Sequence, residues 1–129
     1  MSSRFTETDK WKDSWFRKLS PNAKVLFEYL RDACDLAGFW EVDLDLASYF
    51  TGIPKASDDS LFKAGPNGGI EAAFEELSRC YIAANGHIYI KKFLLHQKNL
   101  PLNINNPSHR GIIAKINSHN SFGKQVLAE

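Results

Sequence analysis

Apolar positions along this chain recur at helical spacing, then at every second residue, then at helical spacing again. Each change of period marks a new element. Residues 1–10 are polar and are expected to be loose. Trp11, Trp15, Phe16 and Leu19 then cluster at helical spacing, and the tryptophans here and at position 40 are expected in the core. Ser20 and Pro21 read as the N-cap and first-turn residue of a helix. The serine oxygen can accept a helix N–H that has no other partner, and proline lacks the donor that would go unpaired there. In that helix Leu26, Tyr29, Leu30 and Ala33 share one side, with Arg31 and Asp32 on the other. Gly38 ends the helical region, and Gly38-Phe39-Trp40-Glu41-Val42 predicts a brief strand. Asp43 caps a second helix in which Leu46, Ala47 and Phe50 are expected to face inward; Gly52 closes it and Pro54 prevents its return.

Residues 53–69 read as an irregular linker, in which Asp58-Asp59-Ser60 would cap one extra turn over 61–64 before a Gly- and Pro-rich loop. Ile70, Ala73, Phe74 and Leu77 then form a stripe that predicts a helix over 70–79. The strongest local signal follows. Asn85-Gly86 suits a two-residue hairpin turn, in which both positions need positive φ. The turn fixes a register with Ala84 opposite His87, Ala83 opposite Ile88, Ile82 opposite Tyr89 and Tyr81 opposite Ile90. Tyr81, Ala83, Ile88 and Ile90 share the expected core face; Ile82, His87, Tyr89 and Lys91 share the other. After an Asn-rich stretch over 99–106, Asn106 and Pro107 open a last helix with Ile112, Ile113 and Ile116 on its apolar face. Residues 117–129 show little periodicity. The order is helix, short strand, helix, helix, hairpin. It predicts an α+β, mostly helical winged helix-turn-helix with a short β-hairpin wing and an extra C-terminal helix. The third helix would be the recognition helix. The expected partition is a flexible segment at 1–10, a winged-helix domain at 11–98, and a connection with a C-terminal helix at 99–129.

Composition adds limits to this picture. A chain of 129 residues suits one domain that folds without metal or disulfide. Cys34 and Cys80 stand far apart, outside any metal-ligand spacing, and are expected to be reduced and buried as small apolar side chains. With no apolar run at its start and none near the ~18 residues that cross a bilayer, the chain is expected to be cytoplasmic and off the membrane. Charge is divided along the chain. Residues 1–24 carry net +3, residues 25–79 net −7, and residues 80–129 net +5 together with all four histidines. Such asymmetry favours a polyanion partner, though scattered charge is the plain alternative.

Candidate contacts with DNA follow from that division. His87, Tyr89, Lys91 and Lys92 surround the hairpin, with Lys98, His109, Arg110 and Lys115 downstream. Cations with an aromatic among them suit phosphate contact and sugar or base packing; an ordinary solvated strand face explains them equally well. Arg17 and Lys18, with Lys10, Lys12 and Lys24, would hold a flanking phosphate strand, or serve solubility alone. The 70–79 helix offers Glu71, Glu75 and Glu76 and only Arg79 as a cation. Three carboxylates would be repelled by DNA, which presents roughly one negative charge per 1.7 Å of axis, so this helix is not expected to read bases in the usual way. Gly68-Gly69 lacks a following Lys-Ser/Thr and reads as a hinge rather than a nucleotide loop. No nucleophile–base pair, metal-ligand cluster or cofactor motif stands out, so neither an enzyme, a metal site nor a cofactor is expected.

Several stretches resemble the amino-terminal winged-helix domain of phage and prophage replication-initiation proteins, the DnaD-like replisome organisers. They are Trp15-Phe16-Arg17-Lys18-Leu19-Ser20-Pro21, then Asp35-Leu36-Ala37-Gly38-Phe39-Trp40-Glu41-Val42, then Lys92-Phe93. Asn103, Asn105-Asn106 and His109 complete the likeness, which spans roughly residues 11–117. The resemblance implies a module that binds double-stranded DNA at an origin, recruits a helicase or its loader, and works in the bacterial host cell if phage-encoded. It leaves self-association open, as well as the alternatives of a protein-contact module or a small transcriptional regulator. The long 53–69 linker departs from a generic helix-turn-helix.

Overall fold

The computed structural model describes residues 3–55, 69–93, 97, 99 and 102–119. The chain is α+β. A 3-10 turn at Thr8–Lys12 leads into α1 (Ser14–Arg17) and α2 (Pro21–Ala33), then β1 (Phe39–Glu41) and α3 (Leu44–Thr51). After the interruption come α4 (Gly69–Glu76), a second 3-10 turn at Ser78–Cys80, β2 (Tyr81–Ala84), β3 (His87–Ile90) and α5 (Pro107–Ser118). Most of the expected 53–69 linker, including the turn expected over 61–64, lies outside the described residues.

Local chemistry places the helix ends where the sequence suggests. Ser20 Oγ accepts the Ala23 N–H at 3.1 Å, Asp43 Oδ1 accepts the Leu46 N–H at 3.0 Å, and Asn106 Oδ1 accepts the Ser108 N–H at 2.9 Å. Each satisfies a donor that the first helical turn leaves unpaired. Asn85 and Gly86 adopt φ of 54° and 77°, as a tight hairpin turn requires. All four expected cross-strand pairs of the hairpin are present. β1 adds antiparallel to the free edge of β3, pairing Phe39 with Tyr89 and Glu41 with His87, so the sheet order is β1-β3-β2.

Helices cover both faces of this sheet. On one face Ile88 and Ile90 join Phe16, Leu26, Leu30, Ile70, Ala73 and Leu77 in the main core. Tyr81 lies at its edge, stacked on Phe74 at 4.8 Å and donating its hydroxyl to the Phe74 carbonyl at 3.3 Å. On the other face α5 lays Ile112 and Ile116 over Ala37, Phe39 and Tyr89, a second apolar cluster. Gly38 sits where backbone meets side chain. Its φ is +99°, and a Cβ there would come within 2.8 Å of the Phe93 Cβ.

Three expectations about burial are corrected. Trp11 is 56% exposed, edge-on to Phe16 at 4.9 Å; only Trp40 is fully buried, and Trp15 is half-buried. In α3 Ala47 is buried and Leu44 packs half-buried against the core, while Leu46 is 44% and Phe50 63% exposed. A helix of eight residues leaning on the core through Leu44 and Ala47 has too little contact to turn a full stripe inward, and Phe50 lies instead against Tyr29 of α2, stacked at 6.2 Å. The amino-terminal segment, expected to be loose, makes specific contacts. Gln97 brackets Phe5 with two 2.7 Å hydrogen bonds, accepting its N–H and donating to its carbonyl, and buried Lys10 pairs with Glu28 at 2.6 Å.

Candidate nucleic-acid interface

β3 ends at Ile90, and Lys91 and Lys92 leave the sheet from that end. The Lys91 N–H donates to the Cys80 carbonyl at 3.0 Å, which draws the start of β2, and with it Arg79, to the same place. Lys92 takes a positive φ of 59° and turns the chain back toward α1 and α2. A cleft of about 210 Å³ opens here. Trp15, Phe27, Ile90 and Phe93 form its apolar wall, and Arg79, Lys91 and Lys92 stand at its rim. Cys80 also faces it; burial pushes this thiol up from its ordinary pKa, against the opposing pull of Arg79 and Lys91.

Arg31 is the residue that sequence reasoning missed. Expected on the outer side of α2, it is only 4% exposed and lines the same cleft. Its guanidinium lies 5.7 Å from the Phe27 ring centroid and donates to the Phe5 carbonyl at 2.8 Å and to Thr6 Oγ1 at 3.2 Å. The one signal in the sequence is the spacing: Phe27 and Arg31 are four apart and so share a helix face.

The other predicted contacts are dispersed. Tyr89 is corrected outright. It is 0% exposed, tilted against Phe39 at 5.3 Å beneath α5, and has no surface to offer a nucleic acid. His87 sits at the far end of β3, roughly 13 Å from Lys91 at strand rise. Its ring lies 4.8 Å from that of His119, which in turn stacks on Phe39 at 4.2 Å. Burial first, and the neighbouring His87 second, lower the His119 pKa. A cavity of about 480 Å³ at this end is lined by Asp35, Glu41 and Asp43 as well as Lys115 and both histidines. Arg110 is exposed on α5. Arg17 is exposed on α1, while Lys18 lines a separate cavity of about 270 Å³ with Ser20, Asn22 and Glu76. Lys98 lies outside the described residues. Lys10 is withdrawn from any phosphate-holding role by burial against Glu28.

Glu76, expected as part of a solvated helix face, does structural work. Its carboxylate accepts the Ser20 hydroxyl at 2.8 Å and the Ser20 N–H at 3.0 Å, fastening α4 to the cap of α2.

Among the described residues no helix is long and apolar enough to cross a membrane, and no group of three or more His, Cys, Asp or Glu is placed to hold a metal ion. No family model matches the chain, and no curated protein or solved structure matches it significantly.

Proposed function

We propose that this chain is a winged-helix module that binds double-stranded DNA through the base of its hairpin, as part of a phage-type replication initiator. The observation that carries the reading is the convergence of Arg79, Lys91 and Lys92 on one aromatic-walled cleft whose lining, among the described residues, contains no carboxylate. Phosphate contacts from such cations give affinity without sequence preference. The order of helices and strands supports the winged helix, and the likeness to replication initiators supports origin binding and helicase recruitment. α4 presents Glu75 and bridges through Glu76, so it stands back from the groove. The module acts by occupancy and recruitment rather than by chemistry.

The test is a duplex titration across salt concentrations. Replacing Lys91 and Lys92 together by Ala should weaken binding to every sequence. It should also reduce the slope of log affinity against log salt by about two, roughly one per lost phosphate contact. An unchanged slope would remove the hairpin base from the interface.

A second reading, protein contact, is favoured by one observation. Leu46, Tyr49 and Phe50 leave an apolar face on α3, 44%, 79% and 63% exposed, beside Val25 and Val42. Asp43 and Asp45 border it, Asp45 paired with Lys55. An apolar surface with an acidic margin suits a basic amphipathic segment of a partner protein.

A further inference from the structure

The cleft at the hairpin base has a property that contact with phosphates alone does not require. Arg31 is a buried cation on its inner wall, and among the described residues it has no carboxylate partner within ion-pair distance. Its hydrogen bonds go to neutral oxygens of Phe5 and Thr6. Burying a charge without an opposite charge is costly, and a bound anion would relieve it. Acids border the cleft on its amino-terminal side. Glu7, Asp9 and Asp13 line an adjacent cavity of about 310 Å³ that shares Trp15, Phe27, Arg31 and Lys92. An anion is thereby turned away from that side and toward Arg79 and Lys91.

The walls of the cleft are flat and partly open. Trp15 and Phe27 are half-buried and meet edge to face at 5.6 Å, so each ring keeps surface free for a ligand. The space, about 210 Å³, suits one planar ring system rather than a long acyl chain. Aromatic walls for a planar base and surrounding cations for its phosphate are the two components by which proteins hold unpaired nucleotides. We infer that this cleft receives a single unpaired nucleotide of a DNA strand, its base against Trp15 and Phe27 and its phosphate among Arg79, Lys91 and Lys92. The inference rests on the DNA-binding reading and adds to it a preference for strands with a base already out of the stack.

The experiment uses the full chain and three otherwise identical duplexes: fully paired, with one extrahelical 2-aminopurine, and with an abasic residue at the extrahelical position. The 2-aminopurine duplex should bind about tenfold tighter than the abasic one, the scale of one base–aromatic stack, and its fluorescence should fall on binding. Trp15→Leu should abolish the difference. Because Trp15 also packs on Phe16, Cys80→Met serves as the second variant: it narrows the cleft from a half-buried position and keeps all four cations. It should bring the 2-aminopurine duplex down to the abasic level. Equal binding of the bulged duplexes with constant fluorescence would overturn the inference and leave duplex binding standing. Failure of every duplex to bind at low salt would overturn both. Free 2-aminopurine nucleotide is the remaining arm; if it binds as tightly as the bulged duplex, the ligand is a free nucleotide and the assignment to a strand falls.

Discussion

The two ends of β3 begin from similar sequence, a polar residue beside alternating apolar ones, and finish in opposite surroundings. At the Ile90 end, Lys91 and Lys92 are exposed around an open cleft with Arg79. At the His87 end, α5 closes over the sheet, His87 meets His119, and carboxylates share the cavity with the cations. Net charge along the chain assigns both ends to one basic block. Packing separates them, because α5 brings Ile112 and Ile116 onto the face that the hairpin pattern left for solvent. Local charge density at a surface is therefore decided by which helix covers which face, as much as by composition.

Five substitutions and one titration test this contrast. Tyr89→Ala should act as a core truncation and cost about 3–5 kcal/mol of stability, read from denaturant midpoints. A drop in DNA affinity without that destabilisation would return Tyr89 to the surface. Gly38→Ala addresses the open end, because Gly38 accepts the Ile90 N–H through its carbonyl at 2.9 Å and faces Phe93. Left-handed backbone with a clashing methyl should cost about 2–4 kcal/mol. Glu76→Ala should cost about 1 kcal/mol by loosening the Ser20 cap, measured in the same way and visible as faster amide exchange at the start of α2.

The closed end should respond to acid. The folded-state pKa of His119 lies below its ordinary 6.5, through burial and then His87, with Lys115 adding to the shift and Asp35 opposing it. The unfolded chain then binds more protons in the window between the two values. The stability present above 6.5 is lost as pH falls through the lowered folded value. Denaturant midpoints should decline from about pH 7.5 to about pH 5.5, and His119→Gln should flatten that decline. The smallest effect is expected from Arg110→Ala, on α5 away from the cleft. Duplex affinity should change by less than about twofold, within ~0.5 kcal/mol.

Much of the fold was legible because its signals are local. Ser20-Pro21, Asp43, Asn85-Gly86 and Asn106-Pro107 each act through atoms a few residues apart, and the starts of α2, α3 and α5 and the hairpin register followed from them. The helix expected over 70–79 stops at Glu76, where no such local signal stands, and a 3-10 turn at Ser78–Cys80 follows it. Alternation in residues 81–90 separated two faces, but Ala83, expected on the core face with Ile88 and Ile90, is exposed, because the helical layer ends short of the hairpin tip. It could not say that both would be buried, because Ile82 and Tyr89 are as apolar as Ile88 and Ile90, and α5 arrives from elsewhere in the chain. The Leu46, Ala47 and Phe50 stripe misled for a related reason: an amphipathic pattern reports a covered face without saying what covers it. In the candidate site, Lys91, Lys92 and Arg79 were legible as cations near a hairpin. Trp15, Phe27 and Arg31 were not, because their meeting depends on how α1 and α2 pack against the sheet.

β3, the centre of the sheet, is its last strand to be synthesised. β1 emerges before its partner β3 exists, and Phe39 must wait for Tyr89, fifty residues later. Pairing over such a separation is slow compared with the helical contacts around it. The helical layer is thus expected to collapse first and β3 to enter last, locking β1 and β2 in a single event. Until then β1 keeps a bare edge, and a ribosome-bound chain halted before residue 87 would have a helical core but no sheet. The hairpin turn at Asn85-Gly86 then acts as a latch in time as well as in space, since it delivers β3 to both neighbours as soon as it forms.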